Sequence, residues 1–260
     1  MEFIDFESLQ KRQHEIKHDF QAKEPFKYVV FDDFFKPEAA EIIHQNYPVI
    51  EDGMWDGTTY INQKNKFKKS QFEPGSVMQR VFDELNSSAF LYWLEQITGI
   101  LEPLIADEEL FGGGLHQSVN GAFLNVHVDF NMHPKTNYHR RLNVLIYMNK
   151  DWKDAYQGDL ELWDLSNGNK SLLAKFAPTY NRCVIFETNE FSFHGHPKPL
   201  QTPPNVSRKS LATYYFSKTR PKHELTSDHN TIFINTEGIG GVVKRFTSGV
   251  KAFLERINSK

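Results

Sequence analysis

Between about residue 111 and residue 217, apolar residues fall into short runs closed by Gly, Asn, Asp or Pro. The runs cover 121–129, 142–148, 159–163, 183–187 and 211–216. Many short strands with turn residues between them predict an all-β sandwich or barrel. The flanking sequence has a helical period instead. Residues 5–23 are polar and charged and predict an exposed helix, followed by a short strand over 28–35. Pro37 then opens an amphipathic helix through Ala39, Ile42 and Ile43, at a position where a missing N–H costs little. A second helical region starts near Ser76, with Val77, Val81 and Leu85 four residues apart. It restarts after Ser87-Ser88 and runs through Phe90, Leu94 and Ile97 to Gly99. A last helix is expected over 242–257, where positions 242, 243, 246, 250, 253, 254 and 257 are apolar. The expected class is mainly β with flanking helices, an α+β arrangement around a β core.

Composition narrows this picture only a little. A chain of 260 residues fits one large domain or a domain with extensions. Aromatics reach 14%, with Phe the main contributor, which suits half-buried pleated surfaces and supports the β core. A formal net charge of -3 gives no footprint for nucleic acid. The lone Cys183 cannot form an intrachain disulfide, so the fold does not depend on an oxidising compartment. The first twenty residues lack an apolar signal core, and no run approaches the roughly 18 apolar residues that span a bilayer. The expectation is therefore a cytoplasmic protein with neither a membrane nor a nucleic-acid partner. The sequence leaves its oligomeric state open.

The chemistry begins in the run 123–129. Strict alternation puts Leu124, Val126 and Val128 on one face, and Asn125, His127 and Asp129 on the other. An imidazole and a carboxylate two residues apart on one strand can reach the same ion. One further histidine would complete a set of two His and one carboxylate on one face of an octahedron. That set leaves positions open for O₂ and a bidentate cosubstrate, as non-haem Fe(II) oxygenases require. His194 and His196, in Phe193-His194-Gly195-His196, are both candidates for the third ligand. Alone, either motif is more often a surface pair or a hydrogen-bonded core pair than a metal site. Downstream, Arg208 precedes the strand 211–216 and could hold a carboxylate through two donors.

Taken in order, these elements resemble the prolyl-hydroxylase-like branch of the 2-oxoglutarate/Fe(II)-dependent oxygenases. That family shows His-x-Asp, a distant His, then an Arg some ten to fifteen positions later. Here those are His127, Asp129, His194 and Arg208. The stretch 141–149 resembles the family strand ending in Tyr-Leu-Asn. Gln157-Gly158-Asp159-Leu160 resembles its Gly-Gly-x-Leu hairpin, with Gln157 replacing the first Gly. The segment 28–43 resembles the strand and helix that open such domains, so the match covers roughly 28–217.

The resemblance implies a double-stranded β-helix, or jelly-roll, core from about 111. It divides the chain into a helical extension (1–27), the oxygenase domain (28–217) and a lid-like C-terminal segment with a helix (218–260). It implies His127, Asp129 and His194 as iron ligands, with His194 preferred over His196 because the family motif is Ser-x-His-Gly. It implies Arg208 as partner of the distal carboxylate of 2-oxoglutarate, with Tyr147 donating to the same group. Asn143 shares Tyr147's face and is expected to line the pocket. Fe(II) and 2-oxoglutarate are the implied cofactor and cosubstrate, with ascorbate a candidate reductant. The implied reaction is hydroxylation of an organic substrate with release of succinate and CO₂. The substrate is either a small or medium polar metabolite or a prolyl residue.

Two other classes fit the bare motifs. One is a non-catalytic jelly-roll protein, for example one that binds sugars. The other is a cupin-type zinc or manganese enzyme that recruits His196 as well as His194. Three polar segments are expected around the pocket mouth. They are a mobile loop over 111–117, an insertion over 131–140, and a lid over 219–240 containing His223 and His229.

Overall fold

The computed structural model describes residues 1–50, 55–60, 62–165 and 170–234. The helix expected over 242–257 and the end of the expected lid lie outside the described residues. The chain opens with α1 (Phe6–Lys11) and α2 (Gln13–Gln21), followed by β1 (Tyr28–Phe31) and α3 (Pro37–Gln45). A hairpin of β2 (Asp56–Tyr60) and β3 (Gln63–Lys69) precedes α4 (Val77–Leu85) and α5 (Ser88–Thr98). The strands then follow as β4 (Ile105–Ala106), β5 (Gly114–Val128), β6 (His139–Tyr147), β7 (Leu160–Asp164) and β8 (Ser171–Phe176). The last are β9 (Arg182–Glu187), β10 (Phe193–His196), β11 (Arg208–Ser217) and β12 (Ile232–Phe233).

The helix boundaries follow from capping. Pro37 occupies the first turn of α3. The hydroxyls of Ser76 and Ser87 accept from the backbone N–H groups of Gln79 and Phe90, each at 3.3 Å, and so start α4 and α5. Gly99 ends α5 in the left-handed region at φ 71°, where a side chain would be strained.

The strands pair antiparallel in the order β1-β9-β6-β11-β5-β10-β7-β8, a jelly-roll core. β5 is 15 residues long and belongs to both halves. Its first part pairs with β11 and its last part with β10. β3 lines the opposite edge of β5 as far as Leu124, and β12 takes that edge over at His127 and Val128.

Alternation sorts the side chains of the central strands. On β6, Leu142, Val144 and Ile146 join the main core, whereas Asn143, Leu145 and Tyr147 turn to the inside. On β11, Leu211 and Tyr215 face that core, whereas Arg208, Ser210 and Tyr214 face inward. The helices cover the outer face of the sheet through Phe82, Leu85, Phe90, Trp93 and Leu94. Tyr215 ties sheet to helix by donating to Leu85 O at 2.8 Å.

Three expectations change here. Residues 5–23 are two short helices rather than one exposed helix, and Leu9, Ile16 and Phe20 are buried in the main core. The charges had hidden a narrow apolar stripe. The Glu84 carboxylate also anchors this region by accepting from the N–H groups of Glu2, Phe3 and Ile4 at 2.8–3.1 Å. The loop expected over 111–117 becomes strand from Gly114, clamped between β3 and β11. The strand expected over 28–35 ends at Phe31. The β2–β3 hairpin was not expected at all, because its Lys- and Asn-rich sequence has no apolar alternation. Among the described residues no helix is long and apolar enough to cross a membrane.

Because Phe20 is fully buried in the main core, Phe20→Ala should destabilise the protein by about 3–5 kcal/mol. Urea unfolding with an unchanged m-value would show it. A loss under about 1 kcal/mol would mean that α2 merely rests on the surface.

Candidate active site

The inward faces of β3, β5, β6, β10 and β11 enclose one cavity. Its walls include Lys66, His116, Ser118, His127, Asp129, Asn143, Tyr147, His194, His196, Arg208 and Tyr214. All six residues singled out in the sequence, together with His196, therefore meet in one place.

At one end His127, Asp129 and His194 form a cluster in which one donor atom from each lies within 4.8 Å of the others. Strand pairing creates it, because His194 on β10 lies directly opposite His127 on β5. The register then slips. His196 lies opposite Leu124, so β5 holds one extra residue. This bulge breaks the alternation expected over 123–129. Leu124 turns to the cavity, and Asn125 turns away to donate to Asn62 Oδ1 at 3.1 Å. Gly195 permits the close approach of the two strands. A Cβ there would lie 2.8 Å from Leu124 O and 2.9 Å from Asn125 O.

The hydrogen bonds of the two rings set their chemistry. His127 Nδ1 is 2.8 Å from Asn125 O, and His194 Nδ1 is 2.9 Å from Ser192 O. A carbonyl can only accept, so each Nδ1 carries the proton and each Nε2 of a neutral ring presents a lone pair. Both Nε2 atoms point at Asp129, 3.5 Å from Oδ1 and Oδ2 respectively. Lone pairs facing a carboxylate call for a cation between them. Backbone acceptors on the remote ring nitrogens are also what orients metal-bound histidines. The donor set thus fits a divalent metal such as iron. Phe233 and Phe186 flank the rings of His127 and His194, with centroids 5.1 and 4.6 Å away.

Asp129 is held from its other side. Arg140 Nη2 is 3.0 Å from Oδ2, and Asn143 Nδ2 donates to the same oxygen at 2.8 Å. Asn143 Oδ1 in turn accepts from Arg140 Nε and Nη2. Arg140 lies over the rings of Tyr214 and Phe130. Burial works to raise the Asp129 pKa, but Arg140, His194 and His127 outweigh it and keep the carboxyl well below its usual range. Asn143 lines the cavity as expected, and its side chain is engaged with Asp129 and Arg140. Arg140 ends the segment read as a polar insertion, yet it is 1% exposed.

At the other end Arg208 Nε donates to Gly158 O at 2.7 Å and Nη2 to Tyr147 Oη at 3.1 Å. Tyr147 on β6 and the Gly158 carbonyl in the loop before β7 fix the guanidinium and leave its remaining donors for a ligand. His116 and Lys66 also line this cavity, and neither had a motif to reveal it. His196 is a wall residue outside the three-residue cluster, and its Nδ1 has no hydrogen-bond partner among the described residues. The segment after β11 does run past the site. Asn131 bonds to Thr226, Ser227 and His229, and β12 lies beside His127.

Three cavity histidines are held neutral. Burial lowers His194 to about 4. Burial with Arg208 and Lys66 holds His196 well below 6.5, and burial with Lys66 does the same for His116. The unfolded chain therefore takes up protons that the folded chain refuses, so metal-free protein should lose stability as pH falls below about 6.5. Melting in the presence of a chelator should show Tm falling from pH 7.5 to pH 5, and falling less in His196→Gln. A Tm that stays level or rises in that window would show that these rings titrate normally.

Residues 113–216 match the model of the 2OG-Fe(II) oxygenase superfamily. Among solved structures, the chain is similar to a prolyl hydroxylase of Trichoplax adhaerens in complex with a hypoxia inducible factor oxygen degradation domain peptide fragment. That match has 16% identity and a TM-score of 0.58, covering 81% of this chain and 92% of that one. A prolyl 4-hydroxylase from Phytophthora capsici gives 19% identity and a TM-score of 0.56, covering 82% and 65% respectively. A Pseudomonas putida prolyl-4-hydroxylase gives 15% and 0.51, covering 78% and 99%. At such identities these likenesses speak for the fold. No curated protein matches the chain.

Proposed function

We propose that this chain, whose residues 113–216 match the model of the 2OG-Fe(II) oxygenase superfamily, uses Fe(II) and 2-oxoglutarate to hydroxylate a small or medium polar organic molecule. The observation that carries the site assignment is the triad of His127, Asp129 and His194, with both Nε2 lone pairs converging on one buried carboxylate. These three residues would hold the iron. With 2-oxoglutarate and O₂, the bound iron supplies the oxidising power for hydroxylation, with succinate and CO₂ as co-products.

The protein's own part is positioning. Arg208 would receive the distal carboxylate of 2-oxoglutarate, and Tyr147 and Gly158 hold its guanidinium for that purpose. A dianion in so buried a cavity needs a fixed cation at its far end, or desolvation opposes its entry. Arg140 and Asn143 keep Asp129 ionised and aimed. Leu145 and Leu160 line the wall near Tyr147, and the phenylalanines beside the histidines keep bulk water from the reacting end.

A prolyl residue in a peptide is the second reading, because the similar Trichoplax adhaerens structure holds a peptide. The small-molecule reading is preferred because β3 and β12 build up the edge of β5 that borders the site. Succinate release measured with free amino acids and sugars, against proline-containing peptides, separates the two. Turnover coupled to peptides alone would set the preference aside.

His127→Ala, Asp129→Ala and His194→Ala should each abolish iron binding and turnover, while His196→Ala keeps part of both. Iron retained in His194→Ala but lost in His196→Ala would reverse that assignment. Arg208→Ala should still bind iron, and its apparent KM for 2-oxoglutarate should rise by roughly 30-fold or more, the equivalent of a desolvated charge pair worth about 2–5 kcal/mol. An unchanged KM would move the anchor to another cation of the cavity.

A further inference from the structure

Lys66 contributes a charge to the cavity from outside the matched segment 113–216, on the hairpin that sequence patterning does not reveal. Its Cα lies opposite Ser118 of β5, and Ser118 lies opposite Arg208 of β11. Residues directly opposite in a sheet share a face, so Lys66, Ser118 and Arg208 form one row looking into the cavity. The two cations start from strands that are two apart, about 10 Å between backbones.

The other charged side chains of the cavity have partners. Arg140 has Asp129, Asn143 and two aromatic faces. Arg208 has Tyr147 and Gly158 O. Among the described residues Lys66 has neither a hydrogen bond nor an ion pair, although burial disfavours its charged form and brings its pKa to about 8. Lys66 is half-buried, and Asp129 is the carboxylate that acts on it most, but a cavity ammonium with no hydrogen bond or ion pair of its own stays open to a ligand that offers one.

Cofactor and cosubstrate do not supply it. On the oxygenase reading, the near carboxylate of 2-oxoglutarate would go to the iron, and Asp129 would be shared between the iron and Arg140. The distal carboxylate is matched by Arg208. Lys66 remains over. Its Cα lies opposite Ser118, with Gln63 of the same strand opposite Leu124 farther along β5.

We propose that Lys66 is a second carboxylate-binding group of this cavity and that it holds an acid group of the organic substrate, which is therefore a small carboxylic acid. This rests on the oxygenase reading of the site. It gives the hairpin a function, since β3 carries the cation that selects the substrate while the matched segment carries the chemistry. It also disfavours a prolyl residue inside a peptide, whose carboxyl is locked in an amide.

The test is a binding measurement on the full chain loaded with Zn(II) in place of iron, so that nothing turns over. The affinity for 2-oxoglutarate is measured first. Acetate, the simplest carboxylate probe, is then titrated by NMR into the protein saturated with 2-oxoglutarate. Wild type, Lys66→Met and Lys66→Arg are compared. Met keeps an apolar stem of similar length, so the wall stays filled. Wild type should bind acetate saturably, Lys66→Met at least tenfold more weakly, and Lys66→Arg close to wild type. The affinity for 2-oxoglutarate should stay within threefold in all three. Acetate that fails to saturate wild type, or that binds Lys66→Met equally well, overturns the proposal. So does a tenfold loss of 2-oxoglutarate affinity in Lys66→Met, which would assign the lysine to the cosubstrate. Wild type that binds zinc but not 2-oxoglutarate would instead bring down the oxygenase reading, and the proposal with it.

Discussion

The structure turns on one buried carboxylate. Asp129 sits where two imidazole lone pairs, a guanidinium and a side-chain amide converge. An ionised carboxylate in an apolar interior is very costly unless each oxygen is matched. Here Arg140 and Asn143 occupy Oδ2 from one side, and the histidines face both oxygens from the other. The charge is therefore fixed before any metal arrives, and the ligand set is pre-organised. Arg140 needs its own support, which Tyr214, Phe130 and Asn143 provide. The requirement thus spreads through β5, β6 and β11, and small changes in their register would separate the groups.

That requirement explains features that look like irregularities. The bulge in β5 opposite β10 costs ladder bonds and disrupts alternation, yet it sets His194 against His127 while His196 moves to Leu124. The two-faced character of β6 and β11 is equally necessary. Leu142, Val144, Ile146 and Tyr215 hold these strands against the helices, so the inward groups can be polar without the sheet coming apart. The N-terminal helices belong to this scheme. Phe20 and Ile16 join the same core as Leu142 and Val144. They stabilise the platform from which Asn143 and Tyr147 project.

The sequence revealed the parts of this design that depend on period and on order. Serine caps and four-residue spacing located α4 and α5. Short apolar runs between turn residues located β6, β9 and β11. The order His127, Asp129, His194, Arg208 identified the groups that meet in the cavity. It missed whatever depends on pairing between distant segments. Arg140 looks like a surface residue until β6 is laid against β11. Lys66 lies in a run of polar residues whose strand character comes from β5 and from its hairpin partner, and not from its own composition. His116 lay in a Gly-rich stretch that reads as a loop, because only the clamp of β3 and β11 makes it a strand. Asn143 was placed on the right face, but its bonds to Asp129 and Arg140 appear only once the strands are paired.

The cavity is therefore built from two sources with different duties. The segment 113–216 supplies the His and Asp cluster, Arg208 and Tyr147, each secured by neighbours within that same segment. The hairpin supplies Lys66, which has neither a hydrogen bond nor an ion pair among the described residues. A charge matched from within is part of the scaffold and tolerates little change. A charge left open is a demand on the ligand. Carrying that charge on the added hairpin separates it in the chain from the groups that hold Asp129, because Lys66 reaches the cavity through the pairing of β3 with Ser118, whereas Arg140 and Asn143 stand on β6.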